Sequence, residues 1–278
     1  MRQMPPAGLR KLVSPIPGSP SPHGILGGCV DIVDVSDEHE MLGTEFLSLS
    51  CSGAHDWNWC PDPDTPPGPT EKTFDRPEVC TFPSITIYAG SQCSTIGQSY
   101  EEAVQRAREQ LRMGEQRALE EWFMRDVLCP MAEDLTPGAA VPVPQGVAAL
   151  EGWLAEAWGG QGVLHIPAAA AALTGCCNVV QPDGDCPRTL MGNGVIFGAG
   201  YALNVGPPDC SQAPPGEAWL YATGPIRVRR EAPQIVPDTD AESVRYTVNQ
   251  RFVLAERSFV VEVACCRAAA IRVSLCPC

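Results

Sequence analysis

One stretch constrains this chain more than any other: residues 99–128 read as a single amphipathic helix. Ser99-x-x-Glu102 is a capping box, in which the serine side chain accepts a free amide of the first turn. Val104, Ala107, Leu111, Ala118, Leu119, Trp122, Phe123 and Val127 recur at three- and four-residue spacing and make one apolar stripe. Arg106, Arg108, Glu109, Arg112, Glu115 and Glu121 fill most of the other faces. About 30 residues at 1.5 Å each give a rod of roughly 45 Å. Gly114 is its weak point, and Pro130 is expected to end it. The stripe is expected to pack on the strands after residue 245.

The segments before the rod differ sharply in charge. Residues 1–28 hold six prolines, five glycines, Arg2, Arg10 and Lys11, and no acidic residue. Proline removes donors and fixes φ, so this segment reads as an extended arm with a reach of up to about 90 Å. Leu9, Leu12, Val13 and Ile16 are its apolar side chains. Residues 29–80 carry twelve Asp or Glu against Lys72 and Arg76. Within them, residues 60–69 (CPDPDTPPGP) are a turn-rich loop. Residues 81–90 then read as a strand, with Ile85, Ile87 and Ala89 on one face.

After the rod, residues 130–146 form a Pro/Gly linker, and a helix is expected over 146–158. A strand over 161–166 leads through Pro167 to an alanine-rich helix ending near Thr174. Residues 175–192 read as a Cys/Pro/Gly/Asp loop. Strands are expected over 194–201, 218–230, 249–265 and 269–275. The fold class is α+β, divided as 1–28, 29–98, 99–145 and 146–278.

Several function classes find little support. A net charge of -14 argues against non-specific binding to phosphate backbones. No apolar run reaches ~18 residues, so no membrane-spanning helix is expected. The first 24 residues lack the ~7–15-residue apolar stretch of a secretory signal. Residues 192–200 (GNGVIFGAG) hold glycines but not the order of a dinucleotide loop. Asp183 and Asp185 lack the spacing of a calcium loop. His55 lies between Cys51 and Cys60 without a recognised metal spacing, and His165 reads as a hydrogen-bonded core histidine. No cofactor, metal or catalytic residue is assigned. A cysteine-dependent hydrolase and a metal-binding interaction module are the rival readings. Fourteen cysteines with no C-x-x-C pair leave packed thiols, disulfides and a metal site all open. Alternation in residues 226–230 (IRVRR) sends Arg227 and Arg229 to one face, where interface salt bridges are expected.

The order of these parts resembles the major capsid protein of tailed bacteriophages, the Hong Kong 97-type fold also used by encapsulins. A Pro-rich arm, an acidic excursion, a long helix, a helix–strand–helix stretch and closing strands occur in that sequence. Residues 162–175 (GVLHIPAAAAALTG), 192–201 (GNGVIFGAGY) and 249–275 are similar to the family's corresponding segments. The resemblance implies an N-arm (1–28), an E-loop-like region (29–98), a spine helix with its P-domain linker (99–145) and an A domain (146–278). The last would include strands returning to the P domain. It implies a non-enzymatic shell subunit that assembles with itself into pentamers and hexamers. Scaffold, portal or decoration proteins would be further partners, with packaged DNA met only indirectly and no membrane. The expected location is the virion, after assembly in the host cytoplasm. Another virion component or an encapsulin-like shell is the alternative. The sequence departs from the family in its many cysteines, and with only Lys11 and Lys72 it offers little for lysine cross-linking. Arg2, Leu9, Arg10, Leu12, Lys11, Arg227 and Arg229 are the expected assembly residues. Because virions meet oxidising surroundings, disulfides are expected between Cys51 and Cys60, and between Cys186 and either Cys176 or Cys177.

Overall fold

The computed structural model describes residues 15–49, 54–57, 72, 76–95, 97–176 and 178–275. Three strands precede the rod: β1 (Asp31–Asp34), β2 (Gly43–Leu47) and β3 (Val79–Ser94). The rod is helix α1, Tyr100–Trp122, which runs on through a π turn, Phe123–Leu128, and a last turn, Cys129–Met131. Helix α2 (Val143–Ala157), β4 (Val163–Pro167), α3 (Ala171–Cys176) and β5 (Gly194–Gly198) follow. Strands β6 (Glu217–Thr223), β7 (Ile226–Arg230), β8 (Gln250–Val263) and β9 (Ala268–Ser274) close the described chain.

Both halves of the capping box form at Ser99 and Glu102. Leu111 and Leu119 are buried on helix α1, which packs on β3 and β8, and Phe123 is buried against the His165 ring, while Gly114 lies on the exposed face and does not break the rod. Pro130 does not stop the helix where expected; it continues to Met131. A proline ring crowds the carbonyl four residues back, and here the preceding turn is a wider π turn with its Cys129 amide bonded to Met124 O.

Two sheets flank the rod. The first runs in the order β1-β7-β8-β3-β2, with Gln234–Val236 and Val244–Arg245 added along β8. Strands β8 and β3 pair antiparallel from Gln250↔Ser94 to Val260↔Ser84, which gives α1 a long seat. The second sheet has β9, β6, β4 and β5 at its centre and short strands at both edges. The stretch 218–230, read as strands of one region, divides between the two sheets at Gly224 and Pro225. The chain crosses back at residues 264–267, and the Ala264 amide bonds Pro225 O at 3.0 Å, so the two crossings support each other.

The second sheet is buried on both faces. Val163, Ile196, Tyr201, Trp219 and Tyr221 belong to the core under α1. Leu164, Ile166, Val195, Leu220 and Ile271 belong to a separate aliphatic core against α2. A side-chain period of two sends neighbours on each strand to opposite cores.

Three disulfides occur among the described residues: Cys29–Cys186, Cys80–Cys266 and Cys129–Cys210, with Cα separations of 4.7, 5.6 and 5.8 Å. The expected pairing of Cys186 with Cys176 or Cys177 is therefore wrong. Short strands at Val180–Gln181 and Arg188–Thr189 form a hairpin, and Cys186 beside it meets the base of the N-terminal segment instead. Cys51, Cys60 and Cys177 lie outside the described residues.

Candidate functional site

The described part of the N-terminal segment does not leave the subunit. It lies along α1 and is held at regular intervals. Arg112 donates to Gly18 O at 2.6 Å, Gln116 to Ser21 O at 3.1 Å, and the Ile25 amide donates to Glu120 Oε1 at 3.0 Å. Positions 112, 116 and 120 share one helix face, so each turn of the rod holds one point of the segment. The Phe197 amide also bonds His23 O at 2.8 Å. The expectation of an arm extended over all of 1–28 is corrected for residues 18–28. Their backbone groups find partners on their own helix and on β5. Arg2, Leu9, Arg10, Lys11 and Leu12 lie outside the described residues.

Glu120 is the node of this seat. Its second oxygen accepts the Gly200 amide at 2.8 Å. Gly200 opens the short helix Gly200–Leu203, and a Cβ there would sit 2.2 Å from Arg117 O, so only glycine permits the approach. Burial pushes the Glu120 carboxyl up to about 7, against the pull of its backbone donors. Sequence periodicity passed over this residue. The available signal was a carboxylate set between Leu119 and Phe123, on the buried side of the stripe.

Beside it, His165 is fully buried on β4. Its Nδ1 lies 2.8 Å from Tyr201 Oη and its Nε2 3.1 Å from Thr223 Oγ1. Phe123 and Tyr201 pack against the ring. Burial depresses its pKa to about 3, so the imidazole is neutral, and the Tyr201 hydroxyl is held well above the ordinary phenol range. The ring is committed to two hydroxyls, the arrangement of a structural core histidine.

Arg227 and Arg229 do share a face, but they bind carboxylates of their own chain. Arg227 meets Asp31 at 2.7 Å, its partner in the parallel β1–β7 register. Arg229 bridges Glu40 at 2.6 Å and Glu262 at 2.7 Å, and Arg230 meets Asp34 at 2.7 Å. These intrachain pairs form because β1 lies alongside β7. Arg227 and Arg229 line a groove of about 580 Å³ together with Phe46, Ile226 and Ala264. Among the described residues, no group of three His, Cys, Asp or Glu side chains is disposed to hold a metal. No described helix is long and apolar enough to cross a membrane.

No protein-family model matches the chain, and no curated protein matches it in sequence. Solved structures match its fold over nearly the whole length. The capsid of an empty GTA particle, computed with C5 symmetry, aligns with TM-score 0.56 at 12% identity, covering 95% of each chain. The fold is that of the Hong Kong 97-type capsid proteins. The capsid of the native GTA particle aligns at 0.52 and 12% identity, covering 94% of this chain and 100% of that one. A protein of Microbacterium phage Oxtober96 aligns at 0.52 and 10% identity, covering 94% of each.

Proposed function

We propose that the chain is the repeating major capsid subunit of a tailed-phage head, a structural protein without an enzymatic role. The observation that carries this reading is the end-to-end match to capsid subunits, with 95% of both chains aligned.

On this reading residues 15–28 anchor an N-arm, and residues 1–14 carry Arg2, Leu9, Arg10, Lys11 and Leu12 toward a neighbouring subunit. Residues 29–98 act as the E-loop-like region, α1 as the spine helix of the P domain, and 146–278 as the A domain with its returning strands. The subunit's main partner is itself, in pentamers and hexamers. Scaffold, portal and decoration proteins, and indirectly packaged DNA, complete the virion, which is built in the host cytoplasm. The test is expression of the chain alone, followed by sedimentation and negative-stain imaging. Closed shells of uniform size are the expected outcome; a stable monomer at all concentrations, with or without scaffold, overturns the reading.

A further inference from the structure

Cys29 stands at a boundary. Downstream of it β1 is laddered to β7, from Asp31↔Arg227 to Asp34↔Arg230. Upstream of it residues 18–28 belong to no helix or strand. Single hydrogen bonds at Gly18, Ser21, His23 and Ile25 seat them. Ile25 is fully buried, whereas residues 18, 19, 21 and 22 are exposed. The covalent tie is the Cys29–Cys186 disulfide, which reaches the hairpin of the second sheet. A Cβ on Gly28 would lie 2.7 Å from Asp185 Cβ, so glycine is what lets this end of the segment approach the hairpin.

The other two described disulfides sit differently. Cys80 lies within β3, opposite Phe46 of β2, and Cys129 lies in the last turn of the rod with its amide bonded to Met124 O. Ladder and helix bonds hold those two cysteines in place whether or not their sulfurs are joined. Cys29 lies between elements and has no such frame. A segment held by scattered hydrogen bonds and one buried side chain opens locally, and a cross-link at its end keeps its groups at high effective concentration.

We propose that the Cys29–Cys186 bond is a redox latch on the N-terminal segment, with residues 18–28 opening from α1 as a unit when the bond is reduced. Closing the latch takes one hydrogen from each thiol. The two electrons and two protons pass to a disulfide oxidant such as glutathione disulfide, which leaves as two thiols; a dithiol reductant reverses the exchange. On the shell reading, on which this consequence rests, the latch sets how much arm a neighbour can receive. With the latch closed, residues 1–17 are available, with a reach of about 55 Å; with it open, residues 1–28 are available, with a reach of about 90 Å.

The test is hydrogen exchange on the full-length protomer, read at the Ile25 and Phe197 amides, which bond across the seat, with the amides of β8 as reference. Reduction is expected to speed exchange at Ile25 and Phe197 about tenfold or more while β8 stays protected, and glutathione disulfide is expected to restore the slow exchange. A Cys29→Ala/Cys186→Ala variant is expected to exchange as the reduced protein does, with no further change on reduction. Unchanged exchange at the two amides on reduction, or an equal loss of protection in β8, overturns the proposal. So does a variant that exchanges as the oxidised wild type does, or one that exchanges still faster once reduced. Reduction of the folded wild type decides the matter where the variant does not fold. None of these readings needs assembly, so their failure leaves the shell reading standing, and protein that never assembles overturns that reading without touching the latch.

Discussion

The two faces of the second sheet solve the same burial problem with different chemistry. The face toward α2 is aliphatic: Leu164 and Ile166 from β4, Leu220 from β6 and Ile271 from β9 meet Val147, Leu150 and Leu154. The face toward α1 mixes aromatic and polar groups, with His165, Tyr201, Tyr221 and Thr223 buried beside Phe123 and Glu120. Aliphatic packing is non-directional and tolerates repacking of equal volume. A buried polar network accepts one arrangement, because each unpaired group would cost about 1–3 kcal/mol. The polar face is also the one that locates the N-terminal segment, through Glu120 and Ile25. The sheet therefore uses one face for bulk stability and the other to fix where its appendages sit.

The largest effects should come from cavities and should not distinguish the faces. Phe123→Ala is expected to destabilise the protomer by about 3–5 kcal/mol and Leu150→Ala by about 2–5 kcal/mol, read from urea midpoints. Equal-volume changes should separate them. Leu164→Ile is expected to cost under about 1.5 kcal/mol. Tyr201→Phe removes the 2.8 Å partner of His165 and is expected to cost about 1–3 kcal/mol. Equal costs for these two would mean that the faces do not differ in the way argued.

Proton linkage gives a second way to separate the faces. Glu120 moves from 4.5 when unfolded to about 7 when folded. A raised carboxyl stabilises below the unfolded value, and that contribution falls away as pH rises from 4.5 through 7. The loss is at most about 3 kcal/mol. His165 acts in the other direction: depressed from 6.5 to about 3, it stabilises above 6.5 and its contribution is lost as pH falls toward 3. Glu120→Gln should lower stability at pH 5, since one amide loses its acceptor, and should flatten the dependence between pH 5 and 8. A Gln variant with the wild-type slope would remove Glu120 as its source. Variants confined to the aliphatic face should leave the slope unchanged.

The smallest effect is expected where neither face is involved. The exposed pair Arg117–Glu121, at 2.8 Å on the outer side of α1, should contribute no more than about 0.5 kcal/mol and less at high salt. An Arg117→Ala variant with a larger loss would mean that this side of the rod is covered.

Residue pattern alone determined the elements whose information is local. The rod was legible because its cap, Ser99 with Glu102, and its stripe from Val104 to Val127 each involve residues within a few positions. Strands β3, β4, β8 and β9 were legible because alternation or an unbroken apolar run marks them. The arrangement of those parts pointed to the capsid fold. Contacts between distant residues were decided by tertiary structure. Cys186 pairs with Cys29, 157 positions away, because a hairpin turns it from its sequence neighbours. Arg227 and Arg229 bind Asp31, Glu40 and Glu262 because β1 lies parallel to β7. Glu120 was passed over by the periodicity, and its role came from the Ile25 and Gly200 amides that meet its carboxylate. Periodicity reports which side of an element is buried; it does not report what arrives there, since that depends on groups brought together only when the chain closes.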